Sequence, residues 1–159
     1  MTFFPPSYVR TWCEYGPLLF QPEEVLPFLR RETRRFTASS WAALKSLGMW
    51  VSRRVAYLHD IHRWGVPDRF QTPGLTLELG TGDCEDAAAV AWSTLPLVGL
   101  PEGRLVVGTL HKAGHAWVEV PELGALIEAT NGQIIPVRSA GQHGYSRAFY
   151  VDEDGCRLD

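Results

Sequence analysis

The stretch that most constrains this chain is Leu79-Gly80-Thr81-Gly82-Asp83-Cys84-Glu85-Asp86, which runs on through Ala87, Ala88 and Ala89 to Trp92. Gly80 and Gly82 suit a tight turn, Asp83 suits a helix N-cap, and the alanine run has high helix propensity. A helix is therefore expected to begin at Cys84. There the unpaired backbone N–H groups and the positive end of the helix dipole favour a thiolate, the form of cysteine that acts as nucleophile or ligand.

A nucleophilic cysteine needs a base. Gly114-His115-Ala116-Trp117-Val118-Glu119-Val120 alternates as a strand does, with His115 at its start, so His115 must meet Cys84 through the fold. The next strand, Leu126-Ile127-Glu128-Ala129-Thr130, runs into an Asn131-Gly132 turn and offers Glu128 to orient the imidazole. Cys84, His115 and Glu128 then form a nucleophile, base and orienter set. The Cys84 backbone N–H is one oxyanion donor, and Gln71, the Trp64 indole or a backbone group are candidates for the second. Trp117 is expected to pack behind the histidine.

Three carboxylates crowd this nucleophile. Asp83, Glu85 and Asp86 push the thiol pKa upward, against the helix dipole and a protonated His115. A hard cation held by the three carboxylates would offset them further, which makes calcium a candidate. In the alternative, Asp83 caps the helix while Glu85 and Asp86 pair with arginines.

With these residues set out, a family resemblance is visible. Residues 57–88, including Asp68-Arg69-Phe70-Gln71-Thr72-Pro73 before the Gly-Asp-Cys-Glu-Asp core, resemble the bacterial transglutaminase-like cysteine peptidases of the papain-like superfamily. His115-Ala116-Trp117-Val118-Glu119-Val120 resembles that group's histidine strand, and Glu128-Ala129-Thr130 falls at its acidic position. Relatives usually carry Asp where this chain has Glu128, and often Glu where it has Leu75; the longer Glu128 side chain must fold back, or Asn131 takes its place. The resemblance implies a hydrolase of peptide, isopeptide or amide bonds working through a thioester, with calcium at Asp83, Glu85 and Asp86 in some relatives. Its alternative is a transglutaminase-like binding or assembly module whose chemistry has lapsed.

Composition sets the outer bounds. At 159 residues the chain is expected to form a single domain over 1–159, with an amino-terminal arm and helix in residues 1–40. A net charge of −3 gives no ground for a nucleic-acid partner, and no run of about 20 apolar residues offers a membrane span. Cys13, Cys84 and Cys156 lie far apart and are odd in number, so reduced thiols are the simpler assumption. Together with an amino terminus that lacks a basic region and an apolar core, this places the protein in the cytoplasm. Arg30, Arg31, Arg34 and Arg35 gather on one side of a helix, as a solvated face pairing with Glu24 and Glu32 or as a surface for a protein partner.

In chain order, three prolines within residues 1–21 suggest an extended arm, and Pro22 with Glu23 and Glu24 opens a helix running to Arg35. Residues 41–64 carry apolar side chains at helical spacing and should pack beside the cysteine helix, with His59 and His62 near their end as a weak metal-ligating pair. A loop then leads to Gly82. Strands are expected at residues 104–110, 115–120, 125–130, 133–138 and 147–151. The sum is an α+β fold with a papain-like or transglutaminase-like core, its amino-terminal helices and nucleophile helix packed on an antiparallel sheet.

Overall fold

In the computed structural model, residues 4–30, 40–59 and 70–158 are described. Helices come first: α1 (Pro6–Tyr15), α2 (Pro22–Leu29), α3 (Ser40–Arg54), α4 (Pro73–Leu79) and α5 (Cys84–Thr94). A short parallel pair, β1 (Ala56–Tyr57) and β2 (Thr81–Gly82), brackets α4. The strands β3 (Arg104–Leu110), β4 (Ala113–Val120), β5 (Ala125–Glu128), β6 (Gln133–Pro136), β7 (Tyr145–Asp152) and β8 (Gly155–Leu158) follow. They form one antiparallel sheet in the order β6-β5-β4-β3-β7-β8. This is the expected α+β arrangement, helices first and then an antiparallel sheet.

The cysteine helix α5 is the centre of the molecule. Every residue from Glu85 to Thr94 is buried, enclosed by α2, α3, α4 and the strands β3, β4 and β5. Ala87, Ala88, Ala89 and Ala91 carry no more than a methyl group, and this lets the neighbouring elements close on the helix from several sides. Its polar side chains are used internally. Ser93 Oγ donates to Leu19 O and accepts from Gln21 N–H, which stitches the segment between α1 and α2 onto the helix. The Trp92 indole donates to Gly103 O at the entry to β3.

Alternation along the strands divides the sheet into two faces. Leu105, Val107, Ala116, Val118, Val120 and Ile127 point to the helices, and the fully buried ones each contribute about 1.5–3 kcal/mol. Val106, Trp117, Leu126, Ile135 and Tyr145 build a second cluster on the opposite face.

Several local expectations are corrected. The amino-terminal arm is not extended: Pro6 sits in the first turn of α1, where its missing N–H costs nothing, and the buried Trp12 anchors the helix. Cys13 of α1 is joined to Cys156 of β8 by a disulfide, so the assumption of reduced thiols fails for this pair and leaves Cys84 as the free cysteine. α3 ends at Arg54 rather than near residue 64, because the chain turns out to pair in parallel with β2, with Ala56 N–H on Gly80 O and Leu58 N–H on Gly82 O. The loop before the nucleophile contains α4, capped by the Thr72 hydroxyl and ended by Gly80 at φ 69°. Glu24 accepts from Gly74 N–H at the start of α4. Arg30 is exposed just past α2, whereas Arg31, Arg34, Arg35, Trp64 and His62 lie outside the described residues.

Candidate active site

Asp83 and Cys84 stand where the capping argument puts them. Asp83 occupies the N-cap of α5, and the Asp86 carboxylate reaches back to accept from Asp83 N–H at 3.1 Å. The other Asp86 oxygen accepts from Gln71 N–H at 3.1 Å. Gly82 must be glycine here, since a Cβ on it would lie 2.6 Å from Asp86 Cβ. Gln71, a candidate oxyanion donor, is instead built into this support: its amide nitrogen donates to Thr76 Oγ1 and to Thr81 O.

Cys84 and His115 line one cleft of about 310 Å³, together with Asp83, Glu85, Ala116, His59 and aromatic side chains of α1 and its approach. Alternation puts Ala116 on the helix side of β4 and His115 on the other. The two sides meet at the exposed start of the strand, where the cleft lies. The Ala116 backbone N–H reaches the sulfur and favours the thiolate. Among the described residues the thiol donates to Glu85 Oε2 at 3.3 Å and makes no hydrogen bond to His115.

His115 and Glu128 form the tightest polar contact of the site. Nε2 lies 2.6 Å from Glu128 Oε1, with both side chains largely withdrawn from solvent. The strand pairing explains it: Val118 opposite Ile127 sets Glu128 across from Trp117, on the same face of the sheet as His115. Glu128 also accepts from the Tyr145 hydroxyl at 2.7 Å on Oε1, and from Thr130 Oγ1 at 2.7 Å and Thr130 N–H at 3.3 Å on Oε2. Burial pushes this carboxyl up, but the hydrogen bond and charge of His115, with Tyr145 and Thr130, outweigh it and hold Glu128 below the usual carboxylate range. An ionised carboxylate only accepts, so Nε2 carries the hydrogen and Nδ1 keeps the basic lone pair.

Glu128 itself thus meets the imidazole, and Asn131 is occupied in the turn with Gln133. Trp117 stacks on His115 as expected, ring centroids 6.2 Å apart and planes 27° from parallel. Tyr145 was not legible as part of the site. It lies on β7, and only the sheet order brings it to Glu128.

The acidic end of α5 behaves differently from the simple dipole expectation. Burial first, then the charges of Glu85 and Asp83, raise the Cys84 thiol well above its usual value, so the helix terminus alone does not yield a thiolate. Burial and Asp83 likewise raise Glu85, and Asp86 is pushed up to about 9. No arginine pairs with Glu85 or Asp86 among the described residues. The hard oxygen donors and the partnerless buried Asp83 Oδ1 fit a cation. Both Asp86 oxygens, however, are held by backbone N–H groups, and no ready-made cluster of three metal-ligating side chains stands among the described residues.

Fold and site together define an α+β protein with a transglutaminase-like core, carrying a free cysteine on a central helix and a histidine–carboxylate pair on the adjoining sheet. Among solved structures the chain is similar to LapG of Legionella pneumophila. The calcium-bound form matches at a TM-score of 0.68 and 16% identity over 93% of this chain and 86% of that one. The EGTA-treated form matches at 0.68 and 17% identity, over 95% and 85%. At such identity the likeness establishes the fold. No protein-family model and no curated protein sequence matches the chain. No helix among the described residues is long and apolar enough to cross a membrane.

Proposed function

We propose that the protein is a cysteine-dependent hydrolase of peptide, isopeptide or amide bonds in protein or peptide substrates, using Cys84, His115 and Glu128. The observation that carries this reading is the His115–Glu128 contact of 2.6 Å beside a cleft that Cys84 also lines. Nδ1 of His115 takes the Cys84 proton, the sulfur attacks the carbonyl carbon, and the leaving amine departs with that proton. Water then attacks the thioester as His115 accepts its proton, which releases the acid and restores the thiol. The Cys84 backbone N–H, unpaired at the helix start, faces the developing oxyanion. Bonds of this kind often tighten only when substrate is bound, which accommodates the open Cys84–His115 arrangement.

Calcium belongs to the same proposal. Asp83 and Glu85 would hold it, with Asp86 behind them, and a cation there would neutralise the carboxylates that raise the thiol. Calorimetric titration of the metal-stripped protein is expected to show calcium uptake that disappears in Asp83→Asn; no uptake at millimolar calcium would remove this part of the reading. The Cys13–Cys156 bridge supports a disulfide-permitting environment and weighs against the cytoplasmic expectation.

The test of the hydrolase reading is alkylation. Iodoacetamide should modify Cys84 rapidly and with a pH dependence that is lost in His115→Ala. Sluggish labelling, indifferent to His115, would instead support the lapsed binding module.

A further inference from the structure

We infer that Tyr145 is a positioning residue, clamping Glu128 so that the carboxylate sets both the placement and the basicity of His115. This rests on the reading of His115 and Glu128 given above. Glu128 Oε1 receives two donors, His115 Nε2 at 2.6 Å and the Tyr145 hydroxyl at 2.7 Å, while Thr130 holds Oε2. A glutamate side chain has three rotatable bonds, and with donors on both oxygens from β4, β7 and the turn after β5 it has one arrangement left.

The phenol is itself fixed. Its ring packs edge-on against Trp117, centroids 5.1 Å apart at 73°, and Trp117 stacks in turn on His115. The Trp117 indole donates to Glu119, whose other oxygen is held by Arg104 and Arg147. The Tyr145 and Trp117 rings therefore pack beside the His115–Glu128 contact, whose side chains are largely withdrawn from solvent. Burial, then the hydrogen bond and charge of Glu128, push the Tyr145 phenol up, so it remains a donor at neutral pH.

Two effects follow from that hydroxyl. It anchors the carboxylate, and it draws part of the negative charge that would otherwise stabilise the imidazolium. Removing it should leave Glu128 less fixed and more basic, and so raise the His115 pKa. Among the described residues the other titratable groups at this cleft are Cys84 and Glu85 of α5, its cap Asp83, Tyr8 of α1, Tyr57 of β1 and His59 beyond it, and Glu119 with its two arginines lies behind Trp117. All are unchanged in a substitution confined to the phenol.

The experiment is a nitrogen-15 NMR titration of His115 in the wild type and in Tyr145→Phe, paired with iodoacetamide alkylation of Cys84 across pH. In Tyr145→Phe the His115 midpoint is expected to rise by roughly half a unit, about a threefold change in proton affinity. Alkylation near neutral pH should slow by about tenfold, the scale of a lost hydrogen bond to a charged group. An unchanged midpoint in a folded Tyr145→Phe protein would overturn the inference, since a merely structural tyrosine would alter stability alone. Should Tyr145→Phe not fold, site-specific 3-fluorotyrosine, a more acidic phenol of nearly the same shape, must move the midpoint down; no movement there overturns the inference equally. Failure of the hydrolase reading shows separately, as wild-type alkylation that does not depend on His115.

Discussion

His115 Nε2 and Glu128 Oε1 lie 2.6 Å apart although 13 residues separate them, and Glu128 carries the charge of this pair in a nearly solvent-free setting. The contact fixes the orientation of the imidazole and places its hydrogen on Nε2. Glu128→Gln keeps the side-chain length but replaces an acceptor-only carboxylate with an amide, which can present its nitrogen to Nε2 and invert the tautomer. We expect Cys84 alkylation, or turnover once a substrate is found, to fall by about 10²-fold or more, measured as a rate at neutral pH. A change of less than twofold would remove Glu128 from the mechanism.

The same carboxyl makes stability depend on pH. Its folded pKa lies below its unfolded value, so its contribution is fully present above the unfolded pKa and is lost as pH falls through the folded one. Urea denaturation curves from neutral pH to below pH 4 should show the wild type losing stability in that acid window. Glu128→Gln should be weaker by about 1–3 kcal/mol at neutral pH and should show a shallower acid loss.

The Cys13–Cys156 bond ties α1 to the last strand across a sequence separation of 143 residues. A crosslink closing so long a loop restricts the unfolded chain strongly. Cys13→Ser is expected to lower unfolding free energy by about 2–5 kcal/mol, read from denaturant midpoints. Because Tyr8 and Trp12 of α1 line the cleft, the same variant should also make Cys84 more accessible to iodoacetamide.

Gly48 tests the packing of α3 on the sheet. In an exposed helix Gly→Ala would stabilise by up to about 1 kcal/mol. Here a Cβ would lie 2.7 Å from the Gly132 carbonyl oxygen, in the turn between β5 and β6, and backbone cannot step aside cheaply. Gly48→Ala is therefore expected to destabilise by about 1–3 kcal/mol in thermal or urea unfolding.

Much of the site was legible because its signals are local. Asp83, Cys84 and the alanine run specify a capped helix from within a dozen residues. The alternation around His115 and Glu128 and the Asn131-Gly132 turn specify neighbouring strands that return on one another. β3 follows its expected bounds of Arg104–Leu110. The α1 and α4 helices were missed where prolines read as breakers, although Pro6 and Pro73 sit in first turns that tolerate them. The cut in α3 was missed because a helical apolar pattern carries no record of a strand partner 25 residues further on.

By itself, then, the sequence singled out Cys84, His115 and Glu128 as the candidate side chains and the elements that bear them, since caps, turns and periodicity are written in neighbouring residues. The tertiary structure decided what those side chains experience. Burial and unbalanced carboxylates raise the Cys84 thiol, three donors converge on Glu128 from separate elements, and Cys13 finds Cys156. Each of these depends on distances between residues remote in the chain, and desolvation and Coulomb energies are set by such distances.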